Sequence, residues 1–318
     1  MSAFFGPVPS RRLGRSLGVD VVPFKTCTYD CIYCQLGRTT CKTVELREWV
    51  SVDDVLAELP DRLASRPDYV TIGGSGEPTL FSRIGELIER IKAATRVPVA
   101  VLTNGSLLWR RDVRRKLLGA DVVLPSLDAG DEATFQAVNR PHPELSLARV
   151  VDGLVAFRRE YTGQVWLEVF LLAGYTAIEA EAAKIARCVD LIGPDRVQLN
   201  TAVRPPAEPF AVGATRQRMA ELAPIFGPDA EVIADFLPAS ESADFGAGRE
   251  AIRELLRRRP CSVDDLAAGL GLHRNEAIKY VEALAADGLI RRHWSPQRQT
   301  SLYSSADVPS PPTRDTCR

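Results

Sequence analysis

GVDVVPFKTCTYDCIYCQLG, residues 18–37, is the stretch on which the reading of this chain turns. Its first seven residues are mostly apolar and read as a buried strand. The rest reads as a loop that carries Cys27, Cys31 and Cys34 within eight positions. The whole chain holds only seven cysteines. So uneven a distribution does not resemble a disulfide framework and points to metal or redox chemistry. Three thiolates at C-x3-C-x2-C can hold three irons of a cubane cluster and leave the fourth iron open to a small molecule. A structural zinc site is closed and takes four ligands. None of the histidines (His142, His273, His293) lies near the loop. Cys41 is close enough in sequence to serve as a fourth ligand, so zinc stays open at this point. A thioredoxin-like pair of Cys31 and Cys34 leaves the third cysteine unexplained. Three buried structural cysteines would need an apolar face, and Thr28, Tyr29 and Asp30 interrupt it.

Working outward, strand and helix patterns alternate. SVDDVLAELPDRLA (51–64) reads as a helix with Ser51 as its N-cap and acids in its first turn. DYVTIGG (68–74) reads as a strand and FSRIGELIERIKAA (81–94) as an amphipathic helix. VPVAVLTNG (97–105) and ADVVLPSLD (120–128) read as strands around the helix LWRRDVRRKLLG. Helices follow near 131–138 and 146–160, then QVWLEVFLL (164–172), a helix from 177 to 193, and RVQLN (196–200). Continuous apolar strands alternating with helices predict an α/β fold with a parallel sheet. Six strands would close into a partial (β/α)6 TIM-like barrel, with its chemistry on the loops after the strands. The cysteine loop, GGSGEP, TNGS and SLDAGD all fall at such ends. TAVRPPAEPFAVG (201–213) is expected to cross the barrel mouth, before a helix (215–226) and a strand (230–236).

Residues 237–248 read as a linker. Over 249–303 the pattern becomes helix, helix capped by Ser262, longer helix, and a two-stranded wing, which is a winged helix-turn-helix. The tail, 304–318, reads as disordered. The expected domains are therefore 1–236 and 249–303.

Composition bounds the function. The formal charge is −1, so no global basic field draws the chain to nucleic acid. No apolar run is long enough for a bilayer, and MSAFFGPVPSRRLGRSLG lacks a signal-peptide core. A cytoplasmic protein with no membrane partner is expected.

With these motifs in this order, residues 15–205 resemble the radical S-adenosylmethionine (SAM) enzymes. The resemblance rests on C-x3-C-x2-C with Tyr33 before the last cysteine, on GGSGEPTL (73–80), and on the strand ends LTNGSLL and LPSLDAGD. It implies that Cys27, Cys31 and Cys34 ligate a [4Fe–4S] cluster whose open iron binds SAM. One electron then cleaves the sulfonium to methionine and a 5′-deoxyadenosyl radical, which takes a hydrogen atom from the substrate. A low-potential donor of flavodoxin or ferredoxin type is implied as a partner. For SAM contact it implies Tyr33, Gly73, Gly74, Gly76, Glu77, Thr103, Asn104, Ser126, Asp128 and Arg140; no catalytic side chain beyond the cluster ligands is assigned. The glycine motif has an inserted look, with Ser75 and Gly76 before Glu77. Simple alternatives stand beside each residue: loop packing for Tyr33, turns and caps for the strand-end residues, and a solvated loop arginine for Arg140. Glu168, within an apolar strand, needs a buried partner. Asn200 and Arg204 are expected near the substrate. The other cysteines, Cys188, Cys261 and Cys317, read as structural or tail residues.

Within that superfamily the segment 6–37 looks like a prokaryotic iron–sulfur oxidoreductase group distantly related to tRNA wybutosine-synthesis enzymes. That implies an RNA substrate; a polypeptide substrate and a cluster-sensing transcription regulator are the rivals. Residues 273–287 carry two cations against three acids, which is poor for gripping DNA phosphates. Arg257–Arg259, Arg291, Arg292 and Arg298 with Trp294 and Tyr303 suit RNA better. A docking or dimerising module with a solvated basic rim is the plain alternative.

Overall fold

The computed structural model describes residues 2–10, 12–203, 206–234, 249–270, 277, 280–281, 284–285, 287–295 and 300–306. The chain opens with two antiparallel strands, β1 (Phe4–Ser10) and β2 (Gly14–Val19), followed by a cysteine loop that holds two short pairing segments, β3 (Thr26–Cys27) and β4 (Cys41–Lys42). Then α1 (Val52–Leu63), β5 (Tyr69–Ile72), α2 (Ile84–Ala94), β6 (Val99–Thr103), α3 (Arg111–Leu117), β7 (Val122–Pro125), α4 (Glu132–Asn139), α5 (Leu147–Glu160), β8 (Gln164–Phe170), α6 (Glu179–Ile192), β9 (Arg196–Asn200), α7 (Arg216–Leu222) and β10 (Glu231–Val232) follow. One eight-stranded sheet results, in the order β1-β2-β5-β6-β7-β8-β9-β10. Every pairing from β2 to β10 is parallel; only β1 runs against its neighbour.

Both faces of this sheet are apolar, as a parallel sheet requires. On β8, Val165, Leu167 and Val169 join the core beneath the helices, while Trp166 and Phe170 point the other way. Helix α2 contributes Ile84, Leu87, Ile88 and Ile91, all fully buried. Each such side chain contributes roughly 1.5–3 kcal/mol by leaving water. Ser51 caps α1, accepting from the Asp54 amide as expected from the sequence.

Two expectations at the N-terminal edge need correction. The first parallel strand ends at Val19, so residues 20–24 are loop; Val21 and Val22 are apolar because they are buried in the core, not because they belong to a strand. Strand β1, FFGPVPS, carries two prolines, which disfavour a strand. It is tolerated as a sheet edge, where a missing N–H breaks no ladder, and its register shifts between Phe5 and Val8. The expected helix 215–226 is α7 followed by a 3-10 turn, and the expected strand 230–236 is only β10.

The C-terminal part consists of α8 (Arg249–Arg258), α9 (Val263–Leu270), helical positions at 277, 280–281 and 284–285, and the antiparallel hairpin β11 (Ile290–Ser295) and β12 (Thr300–Ser305). Ser262 caps α9 by a reciprocal exchange with Asp265. Its core includes Ile252, Leu255, Leu266, Val281 and Leu284, and packs on Phe5 and Val8 of β1. The C-terminal part thus covers the sheet's antiparallel edge. The expected tail begins too early: Ser304 and Ser305 belong to β12, and Ser305 is buried. The linker 237–248, most of the expected recognition helix, and residues 307–318 lie outside the described residues. Among the described residues no helix is long and apolar enough to cross a membrane.

Candidate functional site

The loops after the parallel strands converge on a cavity of 420 Å³. The cysteine loop, the glycine-rich turn after β5, the inner face of β8, and the loop after β9 all line it. Val8 and Phe5 of β1 and Arg258 of α8 close its far side. A cavity of this size suits small molecules.

Cys27 and Cys34 line the cavity; Cys31 lies behind them. All three are free thiols. Each sulfur faces one side-chain N–H donor from a different part of the chain, and Cys27 also accepts from the Tyr29 backbone N–H. The Asn104 amide lies 3.6 Å from Cys27 Sγ, the Asn139 amide 3.4 Å from Cys31 Sγ, and Lys25 Nζ 3.1 Å from Cys34 Sγ. Asn104 sits on the turn after β6 and also donates to Thr28 Oγ1 at 2.7 Å. Asn139 ends α4 and also donates to Asp128 at 2.7 Å. Burial pushes the Cys27 thiol up to about 12, helped by the Glu77 carboxylate and opposed by Lys25. Cys31 is pushed well up by burial and then by Asp128.

The glycine-rich turn, Gly73 to Gly76, presents its backbone to the cavity. Gly76 is required by close approach: a Cβ there would sit 1.9 Å from the Thr26 carbonyl oxygen. Ser75 Oγ donates to Asp20 at 2.5 Å, and Arg258 reaches the same carboxylate oxygen at 2.5 Å. Residue 258 thereby fastens the C-terminal part to the turn.

Of the residues expected to contact a ligand, Tyr33, Gly73, Gly74 and Gly76 line the cavity, as does Asn200. The others do not. Glu77 is buried and accepts from the Thr103 hydroxyl (2.6 Å), the Asn104 amide N–H (2.7 Å) and both the amide and hydroxyl of Thr79. It is a strut that locks the β5 and β6 turns together, with its carboxyl raised by burial. Thr103, through its hydroxyl, and Asn104, through its backbone N–H, belong to that same lock, while the Asn104 side chain faces Cys27 and Thr28. Asp128 is buried beneath Tyr33, whose hydroxyl donates to it at 2.5 Å, and burial pushes its carboxyl to about 6. Ser126 continues the ladder opposite Glu168. Arg140 caps α4 in a left-handed conformation and pairs with Glu208 at 2.6 Å. Arg204 lies outside the described residues. These side chains hold the loops; the cavity wall includes the glycine turn, Tyr33, Glu168, Phe170 and Asn200.

Glu168 has the partner its burial demands: Arg12 pairs with it from the turn after β1, and Asn200 donates to it at 3.2 Å. Tyr33 stacks on Phe170 with centroids 3.9 Å apart. Sequence reasoning missed Lys25, Arg12, Asn139, Phe170 and Arg258 as site residues. Lys25 stood in the quoted stretch, but no spacing rule marks a lysine that turns back on a cysteine. Arg258 was legible only as one of three arginines ending a helix.

The donor set discriminates between the metals left open by the sequence. Cys41 is disulfide-bonded and so is no fourth ligand. Among the described residues no three His, Cys, Asp or Glu side chains could hold a single ion, as zinc requires. Three free thiols on one loop, with no fourth on it among the described residues, fit the protein ligands of an iron–sulfur cubane.

Comparison with known proteins points the same way. The family described as "Radical SAM superfamily" matches residues 21–185, just over half of the chain. A Brachyspira hyodysenteriae protein called GTPase Obg is 39% identical over 292 residues, which is 90% of this chain but 43% of that protein. The chain thus spans less than half the length of that relative. A UPF0026 protein of Helicobacter pylori (strain J99) is 33% identical over 290 residues, 88% of this chain and 91% of its own. In structure, a radical SAM methyltransferase from Sphaerobacter thermophilus matches with a TM-score of 0.51 at 18% identity, over 68% of this chain and 65% of that one. At that identity the likeness is one of fold.

Proposed function

We propose that this chain, which belongs to the radical SAM superfamily, is an enzyme that removes a hydrogen atom from an RNA substrate presented at the cavity. Its cofactors are a [4Fe–4S] cluster and SAM. When bound, they supply one electron to a sulfonium and, from it, a carbon radical able to abstract hydrogen. The observation that carries the reading is the triad itself: three free thiols, each facing a side-chain N–H donor, two of them at the wall of a cavity that also presents a glycine-rich backbone.

The remaining roles belong to the chain. Cys27, Cys31 and Cys34 hold the cluster. The Gly73–Gly76 backbone would meet the polar end of SAM, its three glycines leaving the main chain without bulky side chains beside the cavity. Tyr33, fixed between Phe170 and Asp128, offers an apolar face to a planar group. Glu168, oriented by Arg12 and Asn200, is the polar group best placed to orient ribose or substrate hydroxyls. Phe5, Leu13, Leu36 and Phe170 exclude water from the reacting volume.

The C-terminal part is read as a winged helix with β11–β12 as its wing. RNA is favoured over polypeptide by that hairpin: Arg291, Arg292 and Trp294 are exposed, and Ser295 contacts the Val203 carbonyl at the cavity rim. An exposed indole among arginines suits stacking on single-stranded bases. The resemblance of segment 6–37 to a group distantly related to wybutosine-synthesis enzymes would imply the same substrate class, and a low-potential flavodoxin or ferredoxin is the proposed electron donor.

The test is anaerobic. Reconstituted protein, reduced with dithionite and given SAM, is expected to release 5′-deoxyadenosine by mass spectrometry and to show a SAM-perturbed electron paramagnetic resonance signal. Cys31→Ala is the control and is expected to retain little iron. Stoichiometric zinc without iron in the parent protein would sink the reading.

A further inference from the structure

The three donors facing the triad differ in kind. Asn104 and Asn139 are neutral amides, whereas Lys25 is a cation and stands closest to its sulfur, at 3.1 Å from Cys34. Lys25 is only 3% exposed. A lysine is seldom buried so deeply unless something in the site uses its charge. Among the described residues Cys34 Sγ is the sole hydrogen-bond or ion-pair partner of its Nζ. The backbone is committed too. Residue 25 takes φ +61°, a conformation a non-glycine residue rarely adopts. Its N–H donates to the Ser75 carbonyl at 2.7 Å, and its own carbonyl accepts from the Thr40 and Cys41 amides. The turn is therefore held from the glycine-rich segment on one side and from the cysteine loop on the other. It aims one long side chain at one sulfur. The groups around the triad are otherwise acidic, with Glu77 acting on Cys27 and Asp128 on Cys31.

We propose that Lys25 is a positioning residue for electron entry: its charge, fixed against Cys34, favours the site carrying one additional electron and so sets the potential at which it accepts one. The proposal rests on the cluster reading above. No bond is made or broken in this step. One electron arrives from a low-potential iron–sulfur or flavin donor, and the site becomes more negative by one charge. A cation at hydrogen-bond distance from a ligand sulfur stabilises that state more than the oxidised one, because net charge and hydrogen bonds to sulfur govern such potentials. The two asparagines supply the hydrogen-bond part alone.

The experiment is a dithionite-driven redox titration, followed by electron paramagnetic resonance, of anaerobically reconstituted parent protein, Lys25→Met, Lys25→Gln and Lys25→Arg. Iron and sulfide content are measured on each. Lys25→Met is expected to load normally and to shift to more negative potential by at least tenfold in the reduction equilibrium, about 59 mV for one electron. Lys25→Gln, which keeps an N–H donor without charge, is expected to shift in the same direction by less. Lys25→Arg is expected to stay within threefold of the parent. If the methionine variant takes up no iron, the glutamine variant decides alone. Equal midpoints in the parent and the uncharged variants, or an arginine variant as displaced as they are, would overturn the proposal. A parent protein that binds no iron at all would overturn the cluster reading first, which the metal analysis detects separately.

Discussion

Asp128 illustrates how little a residue's type discloses about its work. The sequence marked it as a ligand contact at a strand end; it lies buried, holding Tyr33 and Asn139 in place. Its carboxyl is moved from the ordinary 3.8 to about 6 by burial, against the hydrogen bonds from Tyr33 and Asn139. A raised carboxylate binds its proton more tightly in the folded protein than in the unfolded chain. Stability contributed by this group is therefore full below about pH 4, falls as pH rises toward 6, and stays lost above that. The change corresponds to about 3 kcal/mol. Asp128→Asn carries no such proton, so its urea stability in cluster-free protein should fall less between pH 4 and 6.5 than that of the parent. Parallel curves would show that Asp128 does not carry the effect. The same limit on legibility applies to Glu77, Thr103 and Arg140. Motif matching brought them to the right loops, but which atom faces a ligand and which faces a neighbour is decided by packing between segments far apart in sequence. The grouping of three thiols on one loop and the tight glycine turn were legible because thiol chemistry and the lack of a side chain act locally.

Among the elements, the parallel strands and helices could be read from the chain because their apolar periodicity is local and repeated. What escaped was β1, a proline-bearing edge whose partner is set by the tertiary arrangement, and the end of β2, where core residues continue past the last ladder bond. The turn after β5 shows the opposite case, a short element dictated by close approach. Gly76→Ala places a methyl group 1.9 Å from a backbone oxygen, which no side-chain rotation relieves. The variant is expected to lose about 2–3 kcal/mol of stability in the cluster-free form. SAM affinity of reconstituted protein, read by calorimetry, should fall at least tenfold, since the turn must move to make room. Unchanged affinity would mean that this backbone does not face SAM.

For the molecule as a whole, the decisive contact is between its two ends. Arg258 pairs with Asp20, whose side chain is 4% exposed, and Ser75 shares that carboxylate. Removing the cation leaves a buried charge without its partner, a cost of about 3 kcal/mol. Arg258→Met should therefore lower the urea midpoint of cluster-free protein, and Asp20→Asn added to it should recover part of the loss. Additive effects in that cycle would show that the pair does not hold the C-terminal part in place. No sequence reading could have joined these residues, because nothing local marks a contact across 238 positions.

That separation also has a meaning in time. A ribosome releases the cysteine loop long before it makes the helix that walls off the cavity. At 5–20 residues per second, the interval between Asp20 and Arg258 is roughly 10–50 s. Through that interval the nascent chain carries its three thiols with one side of the 420 Å³ cavity still unbuilt. Completion of the last helices then adds Arg258 and Arg259 to the cavity wall. Translation itself would set the order in which the walls of the site are built.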